Sequence, residues 1–315
     1  MFNVRPNFTE TLEFISTKPS EYSRYHIPMV YQMLFNWQNS SAKDLEGSLI
    51  LSNLLIKALT IYNRNNKNKS YAEILKTKKI DIGKIKKSDL SRELMIPRET
   101  TRRKLDDLMK KNLITINAGA ISILPACFKI ENLDNILKNF VSCLNLTLSN
   151  TVNKNEYNRE EINITHLLDN FSITWFYLNK MMQELALIWK TYFATLENWF
   201  IFGTCGLNQN YNLHDAKQLH NLAADEIENF ISNITLEKNS RGLNPTTISD
   251  LTGVSRQSVV RNLKYLTDSK ILEREDETNL FSVTTDPYFK KNIAEQLKKI
   301  YAPISKNVSL TLQSL

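Results

Sequence analysis

A chain of 315 residues that is 42% hydrophobic and 23% charged can bury a substantial core and is long enough for two domains, which excludes a disordered or fibrous protein. Its net charge of +7 favours an anionic partner. Three scattered cysteines, Cys127, Cys143 and Cys205, form no CxxC, and glycines number only seven. Neither a disulfide framework, a zinc knuckle nor a glycine-rich phosphate loop is indicated. The cysteine usage fits a reducing cytoplasm. The start MFNVRPNFTETLEF lacks the basic-then-apolar order of a secretory signal, so a cytoplasmic protein is expected.

In chain order, residues 45–62 are apolar-periodic and predict a helix. Residues 63–70 are Asn-rich and read as a loop. Residues 76–87, Lys-rich with Ile80, Ile82 and Ile85 interleaved, read as an exposed loop or short strand, or as a basic flank that adds phosphate contacts. Residues 88–114 (SDLSRELMIPRETTRRKLDDLMKKNLI) have the pattern of a helix-turn-helix. Thr115-Ile116-Asn117 and Ile121-Ser122-Ile123, joined by Ala118-Gly119-Ala120, then predict a β-hairpin.

The Asn-rich residues 150–163 have the composition of a linker. They put a boundary near Asn155 and divide the chain into domains of residues 1–154 and 155–315. Residues 171–202 are rich in aromatic side chains, but Lys180, Gln183, Glu184, Lys190, Glu197 and Asn198 interrupt them too often for a lipid-facing span, and no membrane contact is expected. Such a stripe ordinarily packs a core or an interdomain surface; its functional alternative is a pocket for a small-molecule effector. A second aromatic stretch, residues 22–37, is its candidate counterpart, without a clear register. Residues 214–234 predict another helix.

Residues 246–272 (TTISDLTGVSRQSVVRNLKYLTDSKIL) repeat residues 88–114 at an offset of 158, pairing Ser91 with Ser249, Arg98 with Arg256, Arg103 with Arg261, Leu105 with Leu263 and Leu108 with Leu266. A gapless repeat of this length indicates a duplicated structural unit. A second hairpin is expected over residues 273–283, and alignment resumes at an offset of 161, with Phe128-Lys129 on Phe289-Lys290. The unit is therefore helix, helix, hairpin and trailing helix, closed upstream by the helices at residues 45–62 and 214–234.

The second helix of each unit must seal the core with one face and present polar groups on the other. In the first, Ile96, Thr101, Leu105 and Leu108 form the buried set, leaving Arg98, Glu99, Thr100, Arg102 and Arg103 outward. In the second, Val254, Val259, Leu263 and Leu266 are buried, with Arg256, Gln257, Ser258, Arg261 and Asn262 outward. Pro97 suits a first helical turn and Ser255 an N-cap.

These segments, IPRETTRRKLDDLMKKNLI and ISDLTGVSRQSVVRNLKYLTDSKIL, resemble the winged helix-turn-helix of bacterial transcription regulators of the MarR, GntR and Crp types. The resemblance covers about 45 residues in each half. It implies a mainly α fold with small β-hairpin wings, two tandem winged helix-turn-helix domains forming a pseudo-two-fold internal repeat. It also implies sequence-specific binding of double-stranded DNA in transcription regulation, by a pseudo-dimeric monomer or a homodimer. Arg98, Thr100, Arg102, Arg103 and Lys104, with Arg256, Gln257, Ser258, Arg261 and Asn262, are then the DNA-binding set. Arg103 and Arg261 would reach phosphate or guanine, and Arg98 and Arg256 would clamp the backbone. Two departures stand out: Thr101 occupies a usually apolar position, and Asn112 and Lys270 replace the glycine that ordinarily ends the second helix.

The units differ in charge. Residues 67–111 hold 15 basic and 7 acidic residues, an excess larger than that of the whole chain, whereas residues 246–285 hold 5 basic and 6 acidic. The first unit is expected to be the stronger binder. Other readings of the same architecture are a plasmid-type replication initiator with tandem winged helices, and a protein-interaction module of a chromosome-organising complex. His214 and His220, six apart, would not share a helix face as metal ligands, and no HExxH, GxSxG or paired catalytic carboxylate occurs. No metal, cofactor or enzymatic activity is expected.

Overall fold

The computed structural model describes residues 5–40, 42–65, 68–152, 161–215 and 242–315. Helices α1 (Phe8–Thr17), α2 (Pro19–Asn39) and α3 (Leu45–Asn65) lead into the short α4 (Tyr71–Leu75) and strand β1 (Ile80–Lys84). Helices α5 (Lys87–Glu93) and α6 (Arg98–Lys110), the hairpin β2 (Ile114–Asn117) and β3 (Ala120–Ile123), a 3-10 turn at Pro125–Phe128 and α7 (Leu133–Thr151) follow. After them come α8 (Ile164–Asp169), α9 (Phe171–Phe193), α10 (Leu196–Asp215), α11 (Pro245–Thr252), α12 (Arg256–Asp268), the hairpin β4 (Leu272–Arg274) and β5 (Phe281–Val283), and α13 (Pro287–Ser314). The fold is mainly helical with small antiparallel sheets, as the sequence predicts at that level.

Helix α9 has buried residues almost all round, from Phe171 and Trp175 to Trp189 and Phe193, because it packs against α3, α10 and α13 at once. Phe171 stacks on Trp175 with ring centres 5.5 Å apart, and Tyr71 and Phe128 close over it. Most of the aromatic segment is thus core. The apolar window Leu45–Arg64 in α3 is, among the described residues, the one long and apolar enough to cross a membrane, and 67% of it is buried inside the fold.

Residues 80–84 form a strand because Ile80 is buried beneath β3; the flanking lysines stay exposed. Strand β1 pairs antiparallel with β3, which also pairs with β2. Ala118 and Gly119 both take positive φ, +49° and +80°, so the hairpin closes in two residues, the turn whose twist matches the strands. The expected third loop residue, Ala120, pairs with Asn117 instead. In the second hairpin the strands are shorter than expected. A loop from Glu275 to Leu280 joins them, closed by the amide of Asn279 on the Glu275 carbonyl at 2.8 Å, with Asn279 at φ +57°. A single bridge, Leu243 to Phe281, stands where β1 pairs in the first sheet.

Contacts between the halves are reciprocal. Helix α1 packs on α13 as α8 packs on α7, and α9 packs on α3 as α2 packs on α10. The predicted boundary at Asn155 lies outside the described residues, as do His220 and most of the helix predicted over residues 214–234. Among the described residues, α10 meets α11, α12 and β5 much as α3 meets α6, β1 and β3. Its aromatic first turns hid it inside the segment read as a separate packing helix.

One hydrogen bond recurs in both units and accounts for a repeated residue. Ser91 Oγ donates to the Ile96 carbonyl at 2.6 Å, and Ser249 Oγ to the Val254 carbonyl at 2.7 Å, each bracing the turn between two helices. Removing the Ser249 hydroxyl takes the side-chain donor from the Val254 carbonyl, and removing that of Ser91 leaves the Ile96 carbonyl only the longer bond from Thr101 at 3.4 Å. Ser91→Ala and Ser249→Ala are each expected to cost about 1–2 kcal/mol in urea unfolding; a change below about 0.3 kcal/mol would refute the bracing role.

Candidate nucleic-acid interface

The two long helices that follow the turns match residue for residue: α6 and α12 are each 13 residues and start 158 apart, at Arg98 and Arg256. Ser255 caps α12 as expected, its side chain accepting from the Ser258 amide at 3.3 Å. Pro97 stands at the N-cap of α6, one position earlier than a first-turn proline, and makes no side-chain cap bond. Arg98 is therefore the first helical residue, with its guanidinium beside the positive end of the helix and exposed.

Both helices end alike despite lacking the glycine. Asn112 and Lys270 take the left-handed conformation at φ +54° and +56°, and their amides bond to the carbonyls of Met109 and Thr267 at 2.9 Å. The predicted buried faces hold in full: Ile96, Thr101, Leu105 and Leu108, and Val254, Val259, Leu263 and Leu266, are all buried. Thr101 fits its apolar place because its hydroxyl donates to the same Ile96 carbonyl that Ser91 braces, at 3.4 Å.

The outward faces need two corrections. Lys104, in the predicted DNA-binding set, is largely covered, and its ammonium lies 2.9 Å from Asp44 at the start of α3. Asn262, its counterpart 158 residues on, is buried rather than outward and donates to Glu197 Oε2 of α10 at 2.8 Å. Each ties its helix to the carboxylate at the head of the helix behind it. The helical spacing placed both residues near the edge of the polar face, and only the distant carboxylate decides which way they turn.

The remaining predicted residues lie on the surface, with Thr100 and Ser258 half-buried. Arg98, Arg103 and Arg256 have no ion-pair or hydrogen-bond partner among the described residues, whereas Arg102 is held by Glu99 at 2.8 Å. Arg261 differs from Arg103. Asn262 cannot neutralise Glu197 as Lys104 neutralises Asp44, and the Arg261 guanidinium lies 3.8 Å from that carboxylate. Gln257 is exposed beside it.

In the first unit the exposed lysines Lys76, Lys78, Lys84, Lys86 and Lys87 line β1 and the segments on either side of it. The hairpin β2–β3 carries no acidic side chain. Around α12 the hairpin presents Glu273, Glu275, Asp276 and Glu277, all exposed. At three positions where the first unit has Glu93, Arg102 and Asp107, the second exposes Leu251, Val260 and Tyr265, at 43%, 51% and 41%. The second unit has exchanged surface charge for apolar area.

Each inter-helix turn is held from the opposite half. Lys190 Nζ of α9 donates to the Met95 carbonyl at 3.0 Å and pairs with Glu46 at 3.3 Å. Asn39 Nδ2 of α2 donates to the Thr252 carbonyl at 3.0 Å, and Tyr31 to the Leu251 carbonyl at 3.2 Å. The three cysteines take no part. Burial pushes their thiols up to about 12, so they stay protonated. No protein-family model matches the chain, and no match is found among curated proteins or solved structures.

Proposed function

We propose that the protein is a cytoplasmic, sequence-specific regulator of transcription that binds double-stranded DNA through two winged helix-turn-helix heads, the first being the stronger binder. The observation that carries this reading is α6: a fully sealed inner face, with Arg98 and Arg103 exposed on the outer one and without a partner among the described residues, followed by a hairpin without acidic groups, in a unit whose strand β1 is flanked by exposed lysines. Unpaired guanidiniums and exposed ammoniums suit phosphates and guanine edges. The reciprocal contacts between halves support a pseudo-dimer within one chain, whose heads would read groove segments about one turn, ~34 Å, apart.

The second head supports a different role. Its acidic hairpin would repel a phosphate backbone, and Leu251, Val260 and Tyr265 offer apolar area of the kind a protein partner covers. Selection of bound sequences from random duplex DNA tests both readings. Two half-sites about one turn apart are expected if both heads read DNA. A single half-site would overturn the pseudo-dimer and leave the second head to a protein. Absence of any salt-dependent duplex binding would overturn the regulator altogether.

A further inference from the structure

Two of the seven glycines, Gly203 and Gly206, sit one turn apart in the middle of α10, where glycine weakens a helix relative to alanine. Packing does not require them. A Cβ on Gly203 would meet no atom within 4 Å, and one on Gly206 would only touch Val283 Cγ2 at 4.0 Å. Both border an apolar cavity of about 160 Å³, partly open to solvent, between α2, α9, α10, β5 and α13. Side chains at these positions would occupy it.

Its wall is apolar, aliphatic for the most part, with Trp189 and Trp199 stacked at 6.2 Å between ring centres and 24° between planes. Besides Tyr31, whose hydroxyl is taken up by the Leu251 carbonyl, one polar side chain lines it. His26 is buried, its Nδ1 has no hydrogen-bond partner, and burial pushes the imidazole down to about 4, so the ring is neutral near pH 7. An apolar cavity of this volume has room for a benzene-sized guest. That nitrogen is covered within the wall, so a guest bearing an N–H or O–H completes its hydrogen bonding once the side chains over it shift.

We infer that this cavity is a binding site for a planar aromatic molecule of one or two rings bearing a single hydrogen-bonding group, which His26 receives. The site deepens the effector side of the regulator reading but does not depend on DNA binding. Its occupant would touch α10 and Val283 of β5 together, the pair already joined by the Val283 amide on Gln209 Oε1 at 3.2 Å. It would also touch α2, which holds the second inter-helix turn.

Titrating 5-fluoroindole and fluorobenzene into the full chain without DNA, followed by fluorine NMR, tests the site. Saturable binding of fluoroindole is expected, weakened tenfold or more by Gly203→Leu while thermal stability holds or rises. His26→Leu is expected to weaken fluoroindole binding and spare fluorobenzene, which has no N–H. Should Gly203→Leu misfold, Gly203→Ala replaces it, with the same direction and a smaller loss. No saturable binding by the unaltered protein, or equal affinity in a folded Gly203 variant, would overturn the proposal, whatever the DNA selection finds.

Discussion

Replacing Arg98 and Arg103 together by alanine is expected to weaken duplex DNA binding about a hundredfold at fixed salt, and replacing Arg256 and Arg261 less than about threefold. Neither arginine of the first pair has an ion-pair partner among the described residues, so each is available to DNA. The second pair is discounted twice: Arg261 lies 3.8 Å from Glu197, and the neighbouring hairpin carries Glu275, Asp276 and Glu277. The salt dependence separates roles within the first pair. Each arginine that contacts only phosphate should lower the slope of log affinity against log salt by about one when removed, whereas one bonded to a guanine edge should relax sequence preference. Equal losses for the two pairs in one titration series would overturn the asymmetry between the heads.

A finer comparison lies at Lys104 and Asn262. Lys104→Asn should leave Asp44 unneutralised and draw Arg103 toward it, giving the first head the electrostatics of the second. On the proposed reading, the first head's affinity would depend on a lysine that need not touch DNA. That dependence was invisible in the sequence, where Lys104 reads as one more basic residue on a basic helix. Asp44 lies 60 positions away, and nothing local announces the pairing.

What the sequence did reveal follows from periodicity. The starts of α6 and α12, their buried faces and the hairpins after them all rest on patterns shorter than about four turns, where spacing alone selects a face. The repeat then transfers each inference from one unit to the other. What it hid depends on contacts between distant segments. Helix α10 was not recognised as the partner of α11 and α12, because its first turns share the aromatic composition of α9. Asn112 and Lys270 read as departures from a glycine rule, yet both adopt the glycine conformation. Gly203 and Gly206 carry no local signal, since a helix glycine has meaning only beside the space it leaves.

Gly253→Ala is expected to destabilise the fold by about 2–3 kcal/mol, the larger part of it at a single turn. Gly253 sits at φ +72°, where a Cβ costs about 1–2 kcal/mol by itself. That Cβ would also lie 1.8 Å from Asn39 Oδ1, so the amide must swing away and surrender its bond to the Thr252 carbonyl, worth about 1 kcal/mol. The equivalent residue of the first unit is Met95, at φ +52° and exposed, held from the other side by Lys190 on its carbonyl. Met95→Gly should therefore be neutral or stabilising by up to about 1 kcal/mol, the opposite sign at the same place in the repeat. A double-mutant cycle divides the cost at Gly253. In an Asn39→Ala background the clash and the lost bond are both absent, and Gly253→Ala should cost only the backbone strain, about 1–2 kcal/mol. An undiminished penalty there would show that α2 does not set the second turn. A penalty that falls would mean that the turn before α12 is positioned by a helix of the other half, one that also borders the apolar cavity.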